Sequence, residues 1–197
     1  MSKYEEFDEY EKLVKDRLSK KRFTHSMNVA EACYHLAKRY GADEKRSYLA
    51  GLLHDIMKEE NAETQKQYAA DSGLSPDPAE LAAKQLWHGI AGAYYVREKL
   101  NITDAEIINA IRYHTVGRAE MTLIEKVVYL GDMISDDRDY KGIDKMREYC
   151  NKDIDLAMSI ALIYQIQSVA GKCSLIPVST FEAYNYYLKF NKERETL

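Results

Sequence analysis

Apolar residues recur in this sequence every three to four positions from end to end, and no stretch alternates apolar and polar residues as a half-buried strand would. Such a chain buries its apolar stripes by packing helix on helix, so the expected fold class is all-α. Helical segments are expected at about 4–18, 21–40, 43–57, 61–72, 79–84, 87–100, 104–114, 122–136, 143–150, 153–171 and 179–194. Gly41 and Gly73 stand where helix C-caps fall, and Thr103 with Glu106 and Thr122 with Glu125 have capping-box spacing. Loops are expected from Ser72 to Pro78, which holds two of the three prolines, and across the charged stretch Ser135 to Asp144. No linker, repeat or low-complexity tract divides the 197 residues, so a single domain over 1–197 is expected.

Charge narrows the partners. With 28 Lys and Arg against 32 Asp and Glu, the net charge of −4 argues against a general nucleic-acid binder, whose affinity rests on clustered cations. Cys33, Cys150 and Cys173 are odd in number and widely spaced, and imply neither a disulfide framework nor a zinc ribbon. Met1 to Lys12 is charged and lacks the apolar core of a signal peptide. The most apolar late stretch, Ile160 to Ala170, is interrupted by Gln165 and Gln167 and is too short to span a bilayer. A cytoplasmic protein without a membrane partner is therefore expected. The oligomeric state is not legible; the protein partner considered is a second copy in a homodimer.

Six polar residues break the apolar faces: His25, His54, Asp55, His88, His114 and Asp132. His25 shares a face with Val29, Ala32 and Leu36, His114 with Ile107 and Ile111, and Asp132 with Val128 and Glu125. His54 and Asp55 sit among Leu49, Leu52, Leu53, Ile56 and Met57. Gly89 and Gly92 would let the helix carrying His88 approach another backbone closely. Taken singly, a histidine on an apolar face is more often a hydrogen-bonded core or surface residue, and His35 is read that way. As a set, the six point to metal coordination, which offsets the roughly 1–3 kcal/mol that each buried unpaired polar group costs. Imidazole mixed with carboxylate suits iron, manganese or zinc.

Cationic groups follow several of these residues. Lys58 lies three residues after Asp55, on nearly the same helical face, and Arg138 lies six after Asp132. His114, Thr115, Gly117 and Arg118 end a helix at a glycine turn, where amides, a hydroxyl and a guanidinium could receive phosphate oxygens. Trp87 and the 16 tyrosines could stack on a base, although aromatics at helical spacing are more often core.

His25, His54-Asp55 and Asp132 match the H…HD…D pattern of the HD-domain superfamily of metal-dependent phosphohydrolases. More narrowly, the strings Arg22 to Ser26, His54 to Lys58, Trp87 to Gly89, Arg112 to Arg118 and Glu125 to Asp132 resemble the bacterial YqeK family, in order and over most of the chain. The resemblance implies a helical bundle with a metal site between helices. The motif-bearing core would span about 22–138, and C-terminal helices at about 143–194 would pack on it and complete a nucleoside pocket. It implies symmetrical hydrolysis of diadenosine tetraphosphate to two ADP. An iron-type ion, with manganese, cobalt or zinc as alternatives, would be held by His25, His54, Asp55 and Asp132, with Asp55 and Lys58 catalytic. His25, Lys58, His88, His114, Thr115, Arg118 and Arg138 would meet the substrate. Leu175, Ile176, Pro177, Val178, Ser179 and Thr180 would contact the nucleoside. In related HD proteins, residues placed like His88 and His114 hold a second ion bridged by the HD aspartate. The residues leave open another HD nucleotide phosphohydrolase or a non-enzymatic nucleotide sensor.

Overall fold

The computed structural model describes residues 3–74 and 76–191, and the described residues contain eleven α-helices and no strand. They are α1 (Asp8–Arg17), α2 (Lys20–Tyr40), α3 (Glu44–Leu53), α4 (Ala62–Asp71), α5 (Pro78–Ala82), α6 (Trp87–Glu98), α7 (Ala105–Tyr113), α8 (Leu123–Ile134), α9 (Ile143–Lys152), α10 (Ile154–Gly171) and α11 (Val178–Leu188). Each expected segment corresponds to one of them. The last ends at Leu188, and the expected residues 192–194 lie outside the described residues.

Caps set most of the starts. Ser19, Asp43, Asn61 and Thr122 each accept a backbone N–H three residues on, satisfying a donor that has no partner in the first turn. Two expectations need correction. Asp104, not Thr103, caps α7, because its carboxylate takes the amides of both Glu106 and Ile107. Thr122 caps α8, but the Glu125 side chain turns to Arg118 instead of closing a capping box. Gly41 ends α2 in the left-handed region at φ 76°, where a side chain would be strained.

At the centre lies α3, whose residues from Ser47 to Leu53 are all buried. It packs along α2 and against α7 and α8. Small residues permit this. A methyl group built at Gly51 or Gly131 would lie 2.8 or 2.7 Å from the Cys33 sulfur, so α3 and α8 both close onto α2 through glycines facing one thiol. At Gly89 the same methyl would meet the Arg112 carbonyl at 3.1 Å, as expected for a helix that approaches α7 closely.

The segment expected over 43–57 is helical only to Leu53. Beyond it the chain tightens into a turn in which the Ile56 amide bonds Leu53 O at 3.0 Å and the Lys58 amide bonds Asp55 O at 2.8 Å. Leu52, Leu53, Ile56 and Met57 remain at most 1 % exposed. At about 1.5–3 kcal/mol each, their burial outweighs the cost of carrying His54 and Asp55 inside.

The chain's C-terminal part packs on this centre through α10, which contacts α8, α9 and α11. At 18 residues and a mean hydropathy of 1.3, α10 is long and apolar enough by composition to cross a membrane, contrary to the expectation drawn from Ile160 to Ala170 alone. Asp153 caps the helix earlier, adding Ile154, Leu156 and Met158 to the apolar run. In the fold those residues, with Ala157, Ala161 and Leu162, are buried in the core.

Candidate metal centre

Six side chains from five parts of the chain meet at one point. His25 comes from α2, His54 and Asp55 from the turn after α3, His88 from the first turn of α6, His114 from the end of α7, and Asp132 from α8. All but Asp132 are at most 4 % exposed.

Local bonds aim the imidazoles. A helix leaves its last carbonyls without partners. His54 caps α3 and gives Nδ1–H to Gly51 O at 2.7 Å, and His114 caps α7 and gives Nδ1–H to Ile111 O at 2.7 Å. In each ring Nε2 then points inward. His25 Nδ1 lies 2.8 Å from the Asp137 carboxylate, which orients its ring in the same sense.

Inside, Asp132 Oδ1 is 3.0 Å from His25 Nε2 and 4.0 Å from His54 Nε2. Asp55 faces both ways. Its Oδ2 is 3.4 Å from His54 Nε2, while its Oδ1 is 3.2 Å from His88 Nε2 and 3.6 Å from His114 Nε2. The ligand-type atoms form two overlapping groups, His25–His54–Asp55 and Asp55–His88–His114, each within 4.8 Å and joined by Asp55.

His25 Nε2 and His54 Nε2 are buried and make no hydrogen bond. Two desolvated imidazole nitrogens beside two carboxylates suit a divalent ion, and the donor set suits iron, manganese, cobalt or zinc. The residues fit a metal.

Charge in this centre is held by mutual contact. Burial pushes the Asp55 carboxyl up, but His54, His114 and His88 outweigh it and hold Asp55 well below the usual carboxylate range. Burial likewise opposes ionisation of Asp132, and His25, His54 and Arg138 overcome it. Burial is the main cause pushing His88 down to about 4, which keeps its ring neutral at pH 7, and burial also lowers Lys58.

Three cations stand at the carboxylates. Arg22 Nη1 donates to Asp55 Oδ2 at 2.8 Å, Lys58 Nζ is 3.9 Å from Asp55 Oδ1 and 3.1 Å from His88 Nε2, and Arg138 bonds both the Asp132 carboxylate and, at 2.7 Å, its carbonyl. Arg118 is not among them. Its guanidinium forks onto Glu125, which is fully buried, at 2.6 and 2.7 Å.

Two small cavities share Gln165 in their walls, whose amide donates to Thr115 O and whose oxygen accepts from Tyr129 Oη. One, of about 200 Å³, is walled by Leu175, Ile176, Pro177 and Thr180 together with Leu86 and Val116. Val178 and Ser179 are not among its walls: the Val178 amide instead donates to Asp77 at 2.8 Å. Thr180 donates its hydroxyl to Val116 O, whereas the Thr115 hydroxyl is buried and unpaired. The second cavity, of about 250 Å³, reaches His114 and Asp132 directly. Trp87 lies elsewhere, bonding the carbonyls of Glu80 and Leu81.

Sequence reasoning missed Asp137, Gln165 and the role of Arg22. Asp137 and Gln165 lie in a polar loop and on the half-buried face of α10, where a polar residue is ordinary. Arg22, three residues before His25 on α2, could have been found by the facing rule that found Lys58.

A helical bundle that gathers H…HD…D donors around one point is an HD-domain protein, and this chain belongs to the HD-domain family, whose model matches residues 22–137. Within that family its relatives are of YqeK type. It is 35% identical over 176 residues to a protein of Halalkalibacterium halodurans named symmetrical bis(5′-nucleosyl)-tetraphosphatase, with 89% of this chain and 94% of that one covered. A protein of Bacillus subtilis with the same name is 35% identical over 175 residues, covering 88% and 92%. The crystal structure of an HD-superfamily hydrolase from Clostridium acetobutylicum, described as involved in NAD metabolism, superposes with a TM-score of 0.89 at 30% identity, covering 93% of this chain and 97% of that one.

Proposed function

We propose that this chain hydrolyses diadenosine tetraphosphate symmetrically to two ADP, using an iron-type ion held by His25, His54, Asp55 and Asp132. The observation that carries the reading is the pair of buried, unpaired imidazole nitrogens facing two ionised carboxylates, ringed by Arg22, Lys58 and Arg138. The shared name of the relatives supports the substrate.

A bound divalent ion supplies an acidified water and a Lewis acid for a phosphoryl oxygen. The residues supply the rest. Asp55 is placed to touch both donor groups, so His88 and His114 serve either the phosphates or a second, weaker ion. Lys58, Arg22 and Arg138 offset charge that gathers on phosphate oxygens in the transition state. With the nucleoside against Leu175, Ile176 and Pro177, reaction two phosphates away splits the chain of four at its middle. ADP is a weakly basic leaving group, so no strong general acid is needed. We read α9 to α11 as part of the same domain, because α10 packs on α8, which carries Asp132.

Chromatography of products from a panel of nucleotides tests this. ADP as the sole product of diadenosine tetraphosphate is expected. Equal amounts of ATP and AMP would refute symmetry, and release of inorganic phosphate would indicate a nucleotidase.

A further inference from the structure

A substrate with two identical nucleosides that is cut at its middle needs room for both. The cavity beside Leu175 and Ile176 accounts for one. The other half must leave the centre by a different path. Beside Asp55 the centre presents Arg22 and Lys58, cations that suit phosphates and not a base.

Between α8 and α10 the surroundings change. The cavity of about 250 Å³ there begins at His114 and Asp132 and is walled mainly by Tyr129, Met133, Tyr164 and Val169. Its volume is close to the 200 Å³ of the first, and the two share Gln165 and Val169 as a partition. Tyr164 is 42 % exposed, and its ring is backed by Tyr140 at a centroid distance of 5.2 Å and an interplanar angle of 30°. A tyrosine held on one side and open on the other offers a base a flat face at little cost in side-chain freedom. Ser168 and Gln165 add polar groups at the rim.

Resting on the symmetrical reading above, we propose that the second nucleoside of the substrate occupies the cavity between α8 and α10, its base stacked on Tyr164. The substrate then folds over the centre with one base on each side of Gln165.

The test compares two substrates on the metal-loaded full chain: diadenosine tetraphosphate, and adenosine 5′-tetraphosphate, which keeps the phosphates but has one nucleoside. Tyr164→Ala lowers the preference for the former, as a ratio of kcat/KM, by about tenfold or more, the size of one lost base–aromatic stack, and does so mainly through KM. Tyr164→Phe keeps the preference. Ser168→Trp, which fills the cavity from α10, lowers it as Tyr164→Ala does. An equal fall on both substrates, or an unchanged ratio in Tyr164→Ala and Ser168→Trp, overturns the proposal. A wild type that releases ATP and AMP refutes the parent reading; one that releases ADP while ignoring both substitutions refutes the second cavity alone.

Discussion

His54 and His114 reach the centre by the same local device, a helix-ending histidine that donates Nδ1–H to the carbonyl three residues back and turns Nε2 inward. The six residues of the centre were legible because each placed a polar group where helical spacing demanded an apolar one. Asp137 was not, since a carboxylate in a charged loop departs from no pattern until the fold sets it 2.8 Å from His25. Removing a ligand should remove the ion: His54→Ala and Asp55→Ala are expected to lose both bound metal, read by elemental analysis, and hydrolysis. His35→Ala, at a side chain 67 % exposed, should lose neither. Lys58→Ala and Arg138→Ala should retain near-normal metal content while the rate falls roughly 10²-fold, as for loss of one electrostatic stabiliser. Equal rates in wild type and both variants would make them surface charges. Arg118 contributes to stability through Glu125. Arg118→Ala strands the buried Glu125 charge at a cost of about 3 kcal/mol, which in a chain of this size lowers the melting temperature by roughly 5–10 °C. A melt unchanged from wild type would contradict that role.

At the scale of elements, periodicity located all eleven helices, and the main discrepancy fell at the chemistry. The apolar pattern runs unbroken through His54 and Asp55 because the tight turn there keeps Ile56 and Met57 in the core, so spacing alone could not mark where α3 stops. The meeting of Gly51 and Gly131 at Cys33 was equally hidden, for nothing in the order of residues brings positions 51 and 131 to one sulfur. The contact makes a prediction. Gly51→Ala should destabilise the protein by about 1–3 kcal/mol through overpacking, seen as a lower thermal midpoint, and Cys33→Ala in the same chain should recover part of the loss. Additive losses in the double variant would mean that the helices can part freely at this point.

For the whole molecule, the assembly of α2, α3, α6, α7 and α8 around one centre followed from the six polar residues, whereas the two cavities beside Gln165 arise from how α10 crosses α8 and meets the segment leading into α11. Segment patterning carries no information on that crossing; only the resemblance of Leu175 to Thr180 pointed there, and of that stretch Leu175, Ile176, Pro177 and Thr180 line the cavity. The central claim is that these donors form a metal centre on which symmetrical cleavage depends. Its most direct test is to strip the protein with a chelator, add back iron, manganese or cobalt under anaerobic conditions, and follow diadenosine tetraphosphate by anion-exchange chromatography. Turnover should vanish on stripping and return with the transition ion, with ADP as the only product. Full turnover in the stripped protein, or ATP and AMP after add-back, would contradict the account.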